Sequence, residues 1–129
     1  MKRRVLIVDD EPLIRQSLAR AIRSDRLEVK ECGLGTDAIE EIISSHYDLC
    51  FVDVNLPDIS GIDVMKKINE VSPSTKVVMI TACLLDNEAE HEIERFSYSF
   101  IPKPFDIFQI RRVIKHAFGE IGGESNSSL

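Results

Sequence analysis

The sequence predicts a single α/β domain in which five strands and five helices alternate, (βα)5, and the strands form one parallel sheet. Short apolar runs rich in β-branched residues alternate with longer stretches whose apolar residues repeat every three or four positions. Residues 49–54 form a run with almost no polar gap, as expected of a strand covered on both faces. Right-handed crossovers between such strands put helices on both faces, so we expect a doubly wound sandwich of three layers.

Length and composition limit the possible functions. The 129 residues suit one domain with a sizeable core. With 22 acidic and 16 basic residues the net charge is −6, which argues against a nucleic-acid surface. Because no apolar stretch is long enough for a membrane span or a signal peptide, we expect a cytoplasmic protein without membrane contact. The cysteines Cys32, Cys50 and Cys83 form no close pair, so neither a disulfide nor a zinc site is indicated.

The first half of the chain predicts two strands and two helices. Residues 5–8 form a strand that runs into acids and Pro12, which suit the first turn of a helix. The apolar face of this helix is predicted to be Leu13, Ile14, Leu18, Ala21 and Ile22. Residues 28–32 alternate polar and apolar, which indicates a strand near an edge. The second helix is expected to be capped near Thr36 or Asp37. Its buried stripe is predicted to be Ala38, Ile39, Ile42 and Ile43.

The second half continues the alternation. The central strand, residues 49–54, leads through a loop to a helix that ends before Pro73, and residues 76–80 form the fourth strand. Residues 84–96 are rich in acids and carry a thin apolar stripe of Leu85, Ala89 and Ile93. A helix of this kind buries little and shifts easily. Residues 99–101 form a short strand before a final amphipathic helix, and residues 120–129 are interpreted as a flexible tail or the start of a linker.

Four of the five strands end in side chains that can do chemistry. Asp9 and Asp10 follow the first strand, Asp53 ends the third, Thr81 the fourth, and Lys103 follows the fifth. Each has an ordinary structural explanation when taken alone, such as helix capping or a solvated charge. Parallel strands, however, bring these ends to the one edge where α/β domains bind ligands. Three carboxylates there would repel by about 4 kcal/mol per pair at about 4 Å and an effective dielectric near 20.

A divalent cation would remove this repulsion. Magnesium prefers carboxylate oxygens, takes one or two of them from protein, and keeps water or phosphate oxygens for the rest. Three carboxylates, one Mg²⁺ and one lysine sum to zero, and an acyl phosphate in place of the Asp53 carboxylate leaves only −1. Lysine and a hydroxyl are also the donors that a transferring phosphoryl group needs. The site can therefore hold a phosphoryl group on Asp53.

Over residues 4–118 the chain resembles the receiver domain of two-component response regulators, of which the chemotaxis regulator is the stand-alone example. The matched pieces occur in the usual order and spacing: Val8-Asp9-Asp10-Glu11-Pro12, Asp53-Val54-Asn55-Leu56-Pro57 with Gly61, Thr81-Ala82, and Lys103-Pro104-Phe105. The resemblance implies a flavodoxin-like sheet of strand order 2-1-3-4-5 and a receiver domain over residues 1–119.

The resemblance also implies the chemistry of the site. Asp53 would accept a phosphoryl group from a phosphohistidine on a sensor histidine kinase or a phosphotransfer protein, and the chain would not be an enzyme beyond its own phosphorylation and dephosphorylation. Asp10 would bind Mg²⁺ directly and Asp9 largely through water. The backbone carbonyl of Asn55 and Asp53 itself would complete the metal site.

Further roles are implied for the switch. Thr81 and Lys103 would contact phosphoryl oxygens, as would the backbone N–H of Ala82, and the Lys103-Pro104 peptide would be cis. Phe100 falls at the aromatic switch position. Phosphorylation would change the face formed by the fourth helix, fifth strand and fifth helix, which would act on an effector or output domain. A phosphorylation-dependent homodimer is possible in this family, and no direct contact with nucleic acid is expected from this domain.

Three other functions stay open at this stage. A haloacid-dehalogenase-type phosphatase also uses a strand-end aspartate, a hydroxyl and a lysine around Mg²⁺, but its second aspartate is here Asn55. A flavodoxin-like FMN carrier would need an uncharged loop after the first strand. An interaction module that works without phosphorylation is the third. His46, His91 and His116 are expected at the surface, and Asn55 and Cys83 flank the expected path of a hydrolytic water.

Overall fold

The computed structural model describes residues 2–82 and 84–119, which form five strands and five helices in strict alternation. All strands are parallel, in the order β2-β1-β3-β4-β5, so the predicted fold class and strand order are confirmed. The strands are β1 (Arg3–Val8), β2 (Leu27–Cys32), β3 (Leu49–Asp53), β4 (Lys76–Thr81) and β5 (Ser99–Pro102). The helices are α1 (Pro12–Ile22), α2 (Gly35–Ser44), α3 (Gly61–Val71), α4 (Asn87–Phe96) and α5 (Ile107–Ala117). Cys83 and the predicted tail lie outside the described residues.

Two hydrophobic cores, one on each face of the sheet, hold the layers together. All five residues of the central strand β3 are buried, and their side chains alternate between the cores. Cys50 and Val52 pack with α2 and α3, whereas Leu49 and Phe51 pack with α1 and α5. Complete burial of one such large side chain contributes about 1.5–3 kcal/mol. Among the described helices, none is long and apolar enough to cross a bilayer.

Two residues assigned to the buried faces of α1 and α2 are exposed instead. Leu13 is 77% exposed because it lies in the first turn of α1, ahead of the buried part of that helix, which begins at Leu18. Ile43 is 63% exposed because it points about 100° around α2 from Ile42, which is buried. Both predictions were wrong because the part of each helix that packs against the core is smaller than the set of apolar residues in its sequence.

The predicted cap of α2 was also wrong. The helix begins at Gly35, before Thr36, and its first amides are bound by a distant residue. The two carboxylate oxygens of Asp58 accept hydrogen bonds from the backbone N–H groups of Gly35 and Thr36, each at 2.9 Å. Gly35 is buried so closely against Ile59 that an added Cβ would lie 2.6 Å from a side-chain carbon. Asp58 therefore joins the start of α2 to the loop that follows β3.

We expect replacement of Asp58 by alanine to lower the thermal unfolding midpoint and to flatten its dependence on acid pH. Backbone hydrogen bonds from Thr36 and Gly35 hold the pKa of the Asp58 carboxyl below its usual range. A depressed folded-state pKa stabilises the fold above the unfolded pKa of about 4, and this stability is lost as the pH falls below that value. Thermal unfolding from pH 6 to pH 2 measures the effect. Asp37→Ala, an exposed acid in the first turn of α2, is the matched control, and equal pH profiles for both variants would contradict the prediction.

Helix α4 is shorter than predicted and weakly buried, as its sequence suggested. It begins at Asn87 rather than near Leu84, because the Asp86 carboxylate accepts the Ala89 N–H at 2.8 Å and so caps the helix there. Ile93 is its one buried residue. Polar contacts with α3 add to this anchoring: the Asn69 amide donates to the Phe96 carbonyl at 2.8 Å, and Lys66 forms an ion pair with Glu92.

Candidate functional site

The carboxyl edge of the sheet brings the predicted acids together. Asp9 directly follows β1 and is 1% exposed, and its backbone N–H continues the pairing with β2 by donating to the Cys32 carbonyl at 3.1 Å. Asp53 ends the fully buried strand β3 and is 4% exposed. Asp10 is the exposed member of the group. One carboxylate oxygen from each of these three residues lies within 4.8 Å of the others.

Lys103 lies among these acids and links them. Its Nζ lies 2.8 Å from Asp53 Oδ2 and 3.1 Å from Asp9 Oδ2. The Lys103-Pro104 peptide is cis, as the resemblance implied. The backbone N–H of Lys103 donates to the Thr81 carbonyl at 2.7 Å, so the end of β4 fixes the lysine at its backbone.

Backbone contacts hold the two buried carboxylates in place. Oδ1 of Asp9 accepts the Glu11 N–H at 2.9 Å, and Oδ1 of Asp53 accepts the Asn55 N–H at 3.0 Å. Gly61 packs directly on the backbone of Asp53, since an added Cβ would lie 2.0 Å from the Asp53 carbonyl oxygen. The matched glycine is therefore needed for the close approach of α3 to the end of β3.

The electrostatics of the site are dominated by burial and by the lysine. Burial raises the pKa of the Asp9 carboxyl above its usual value, and the hydrogen bond from the Glu11 N–H only partly opposes this. Burial alone would lower the pKa of Lys103, but its contacts with Asp53, Glu11 and Asp9 outweigh that effect and raise it. Lys103 is therefore a permanent cation that faces several carboxylates at neutral pH.

The donor set fits a divalent cation. Asp9 Oδ2 is buried and accepts no hydrogen bond, and its charged neighbour is Lys103 Nζ at 3.1 Å. An unsatisfied buried oxygen beside two further carboxylates offers hard oxygen ligands, which Mg²⁺ prefers. Asp9, Asp10 and Asp53 are the described residues that would hold such an ion.

Two residues of the site were not predicted from the sequence. Glu11 Oε1 lies 3.0 Å from Lys103 Nζ, so Glu11 is a third carboxylate that contacts the lysine, beside Asp9 and Asp53. The Arg15 guanidinium donates to the Asp9 carbonyl at 2.7 Å and pairs with Glu31 at 3.2 Å, which supports the loop after β1. Glu11 directly follows Asp9 and Asp10 in the sequence, so its place at the site could have been predicted from that position. No spacing in the sequence links Arg15 to Asp9.

The remaining predicted residues lie partly at this edge of the sheet and partly elsewhere. Thr81 ends β4 and is 3% exposed, and Ala82 follows it at the surface. Asn55 follows Asp53 by two residues and is exposed. Phe100 lies farther back on the edge strand β5, opposite Met79, with 41% of its surface exposed. His46, His91 and His116 are exposed, as predicted, and Cys83 is outside the described residues.

Fold and site together define a doubly wound α/β domain with an acidic, lysine-bridged centre at the carboxyl ends of its strands. A model of the response regulator receiver domain matches residues 5–115. The chain belongs to this family, the receiver domains of two-component response regulators. Receiver domains are in general not catalytic enzymes, which agrees with the sequence-based expectation.

Relatives and solved structures agree with this assignment. The response regulator protein PilR of Pseudomonas aeruginosa is 33% identical over 116 residues, covering 90% of this chain and 26% of PilR. The sensory transduction protein LytT of Enterococcus faecalis is 34% identical over 120 residues, covering 92% of this chain and 49% of LytT. The chain thus spans less than half the length of these relatives. A CheY-like receiver domain from Methanospirillum hungatei, 24% identical, shares the fold with a TM-score of 0.87 over 97% of this chain and 100% of its own.

Proposed function

We propose that the domain receives a phosphoryl group on Asp53 from a phosphohistidine of a sensor histidine kinase or phosphotransfer protein. The observation that carries this proposal is the contact of Lys103 Nζ with Asp53 Oδ2 at 2.8 Å, beside two further carboxylates. An oxygen of Asp53 would form a bond to phosphorus while the bond between phosphorus and the histidine nitrogen breaks. The exchange is expected in the cytoplasm.

Each neighbour of Asp53 has a role in this transfer. Lys103 lies where it can bind a phosphoryl oxygen, and its raised pKa keeps it charged throughout. The Thr81 hydroxyl and the Ala82 N–H are proposed to bind the other phosphoryl oxygens. Mg²⁺, held by Asp9, Asp10, Asp53 and the Asn55 carbonyl, would neutralise charge on the phosphoryl group.

The charge of the site explains why a cation is needed. Asp9, Asp10, Glu11 and Asp53 carry four negative charges, and Lys103 carries one positive charge. With Mg²⁺ and Lys103 the net charge of the site is −1, one unit more negative than the zero expected when Glu11 is not counted. An acyl phosphate on Asp53 takes the sum to −2. Since the Glu11 side chain is 59% exposed, it can turn into solvent when the phosphoryl group takes over Lys103.

Exposed apolar side chains beside the site suit a partner that brings the phosphohistidine. Leu13 is 77% exposed in the first turn of α1, and Phe108 is 72% exposed in the first turn of α5. The two helices pack beside each other and both begin at the carboxyl edge of the sheet. Exposed apolar side chains that form a patch, rather than single ones, often mark protein interaction sites. We propose that they contact the kinase or phosphotransfer protein near Asp53.

The test is incubation with acetyl phosphate and Mg²⁺, followed by intact mass and peptide mapping. One phosphoryl group on the peptide that contains Asp53 is the expected result. A second phosphate donor, a phosphorylated sensor kinase, should give the same modified residue. Modification at a different residue, or none with either donor, would contradict the proposal.

Experiments on the same protein distinguish the alternative functions. A haloacid-dehalogenase-type phosphatase should turn over p-nitrophenyl phosphate, whereas essentially no turnover is expected here. An FMN carrier is disfavoured because Asp9, Asp10 and Glu11 would repel its phosphate. An interaction module independent of phosphorylation would bind its partner equally well before and after treatment with beryllofluoride.

The proposed output depends on the coupling of Thr81 to Phe100. A phosphoryl group beside Thr81 offers its hydroxyl a charge-assisted hydrogen bond of about 1.5–3 kcal/mol. Movement of Thr81 would leave space for the Phe100 ring, whose inward turn buries apolar surface worth up to about 2 kcal/mol. Together these terms shift a two-state equilibrium about 100- to 1,000-fold. The signalling face is proposed to be α4, β5 and α5, which would act on an output domain or form a homodimer.

We expect beryllofluoride with Mg²⁺ to change the chemical shifts of Thr81, α4 and Phe100, and a Thr81→Ala variant to reduce those changes severalfold. The variant removes the hydroxyl that would move, while Asp53 still binds the analogue. Nuclear magnetic resonance of both proteins measures the changes. Thr75→Ala, a buried threonine at the opposite end of β4, is the control. Changes of full size on α4 in Thr81→Ala would exclude Thr81 as the coupling residue.

A further inference from the structure

A cleft at the other end of the domain concentrates positive charge on an otherwise acidic protein. It lies between the end of α1, the start of β2 and one side of α5. Its floor is apolar, with Ile22 and Leu27 buried beneath Ile114. The cations that line it are Lys2, Arg3, Arg26, Arg111 and Lys115. Asp25 is the one acid among the described residues of its lining, although the whole chain carries a net charge of −6.

Some of these cations are held in place by contacts at the cleft. The Arg3 guanidinium lies 5.0 Å from the centre of the Phe118 ring, and Arg111 Nε donates to the Ala21 carbonyl at 3.4 Å. Arg111 thereby links α5 to the last turn of α1. An apolar floor edged by cations suits a segment that combines carboxylates with an apolar side chain.

The chain itself carries such a segment directly after Gly119 in the sequence. Residues 120–124 contain Glu120, Ile121 and Glu124. They follow Gly119, whose φ of 66° is the left-handed conformation that commonly turns the chain at the end of a helix. From Gly119 back to Arg111 is about 12 Å along the helix direction. Five extended residues reach about 16 Å, which is enough to return along α5 to the cleft.

Covalent attachment to α5 favours this segment over a free ligand as the occupant of the cleft. Exposed ion pairs contribute at most about 1 kcal/mol each, so the cleft would bind a separate small acidic ligand weakly. A segment joined to α5 by a few residues is present at an effective concentration in the millimolar range. The attached segment can therefore form these contacts although each of them is weak.

We propose that residues 120–124 bind the basic cleft, with Ile121 over the apolar floor and Glu120 and Glu124 facing the cations. The contact would fix the direction in which the chain leaves α5, and it does not depend on phosphoryl transfer. A domain attached beyond it would start from the far end of the receiver domain rather than from its phosphorylation edge.

The test compares the full chain with a chain that ends at Gly119, which keeps all ten helices and strands. Amide chemical shifts of Arg26, Leu27 and Lys115 should differ between the two proteins. High salt should bring the full chain close to the shorter one, because exposed ion pairs are screened. Glu120→Lys with Glu124→Lys should do the same at low salt. Identical shifts at the cleft for the two lengths, or a difference insensitive to salt and charge reversal, would overturn the proposal.

Charge reversal on the cleft provides the matched variants. Arg111→Glu should lower the ratio of bound to free segment about fivefold, the equivalent of one surface ion pair. Arg112→Glu changes the neighbouring residue, which lines a different groove, and should leave that ratio unchanged. Inorganic tripolyphosphate probes whether the cleft is open, and it should bind the shorter chain more tightly than the full chain. Equal affinities would mean that the segment does not occupy the cleft and would overturn the proposal.

Discussion

An Asp53→Asn variant is expected to take up no phosphoryl group from acetyl phosphate, whereas the unaltered chain takes up one. The amide lacks the negative oxygen that would bond to phosphorus, although its own oxygen can still accept the Asn55 N–H. The fold should be preserved. The variant loses the 2.8 Å contact with Lys103 but also removes one of four crowded carboxylates, so the change in unfolding free energy should stay within about 1 kcal/mol.

Intact mass after incubation with Mg²⁺ and acetyl phosphate measures the uptake, and urea unfolding measures the stability. Asp63→Asn is the matched control because Asp63 is an exposed acid in the first turn of α3, outside the acidic cluster. That variant should be modified like the unaltered chain. Stoichiometric uptake by Asp53→Asn would remove Asp53 from the proposed role.

The position of the proposed acceptor could be predicted because it follows from local pattern alone. Asp53 ends a short apolar run, and a run of this kind predicts a strand buried on both faces. Asp9 and Lys103 were placed beside it by the rule that parallel strands end at one edge. Each of these predictions depends on where a strand ends and not on the details of packing.

Contacts made between distant loops could not be predicted in this way. Asp58 caps α2 from 22 residues away, which no local capping pattern contains. The contact of Glu11 with Lys103 joins residues that are 92 positions apart, which no local pattern contains. Leu13 was assigned to a packed face because periodicity shows which residues share a side of a helix, but not how far the neighbouring layer extends.

A Lys103→Met variant is expected to lose at least about 100-fold in its rate of phosphoryl uptake. Methionine keeps an unbranched side chain, one atom shorter, and removes the charge that lies among the carboxylates of Asp9, Glu11 and Asp53. The same removal should lower the unfolding free energy without metal by about 1–3 kcal/mol, less than for a fully buried pair because the site opens to solvent.

Dependence on pH and on Mg²⁺ separates this electrostatic loss from a loss of packing. The Asp9 pKa is already raised by burial, and without Lys103 it should rise further. A raised folded-state pKa favours the folded state as the pH falls through it, so the deficit relative to the unaltered chain should shrink as the pH falls from neutral towards the unfolded pKa of about 4. Millimolar Mg²⁺ should restore more stability to the variant than to the unaltered chain, because it replaces the missing charge.

Urea unfolding at several pH values, with and without Mg²⁺, measures the effect of acid and the effect of the cation on the free energy of unfolding. Lys67→Met, a partly exposed lysine on α3 that lies outside the acidic cluster, is the control. A deficit that neither acid nor Mg²⁺ reduces would show that Lys103 contributes packing rather than charge.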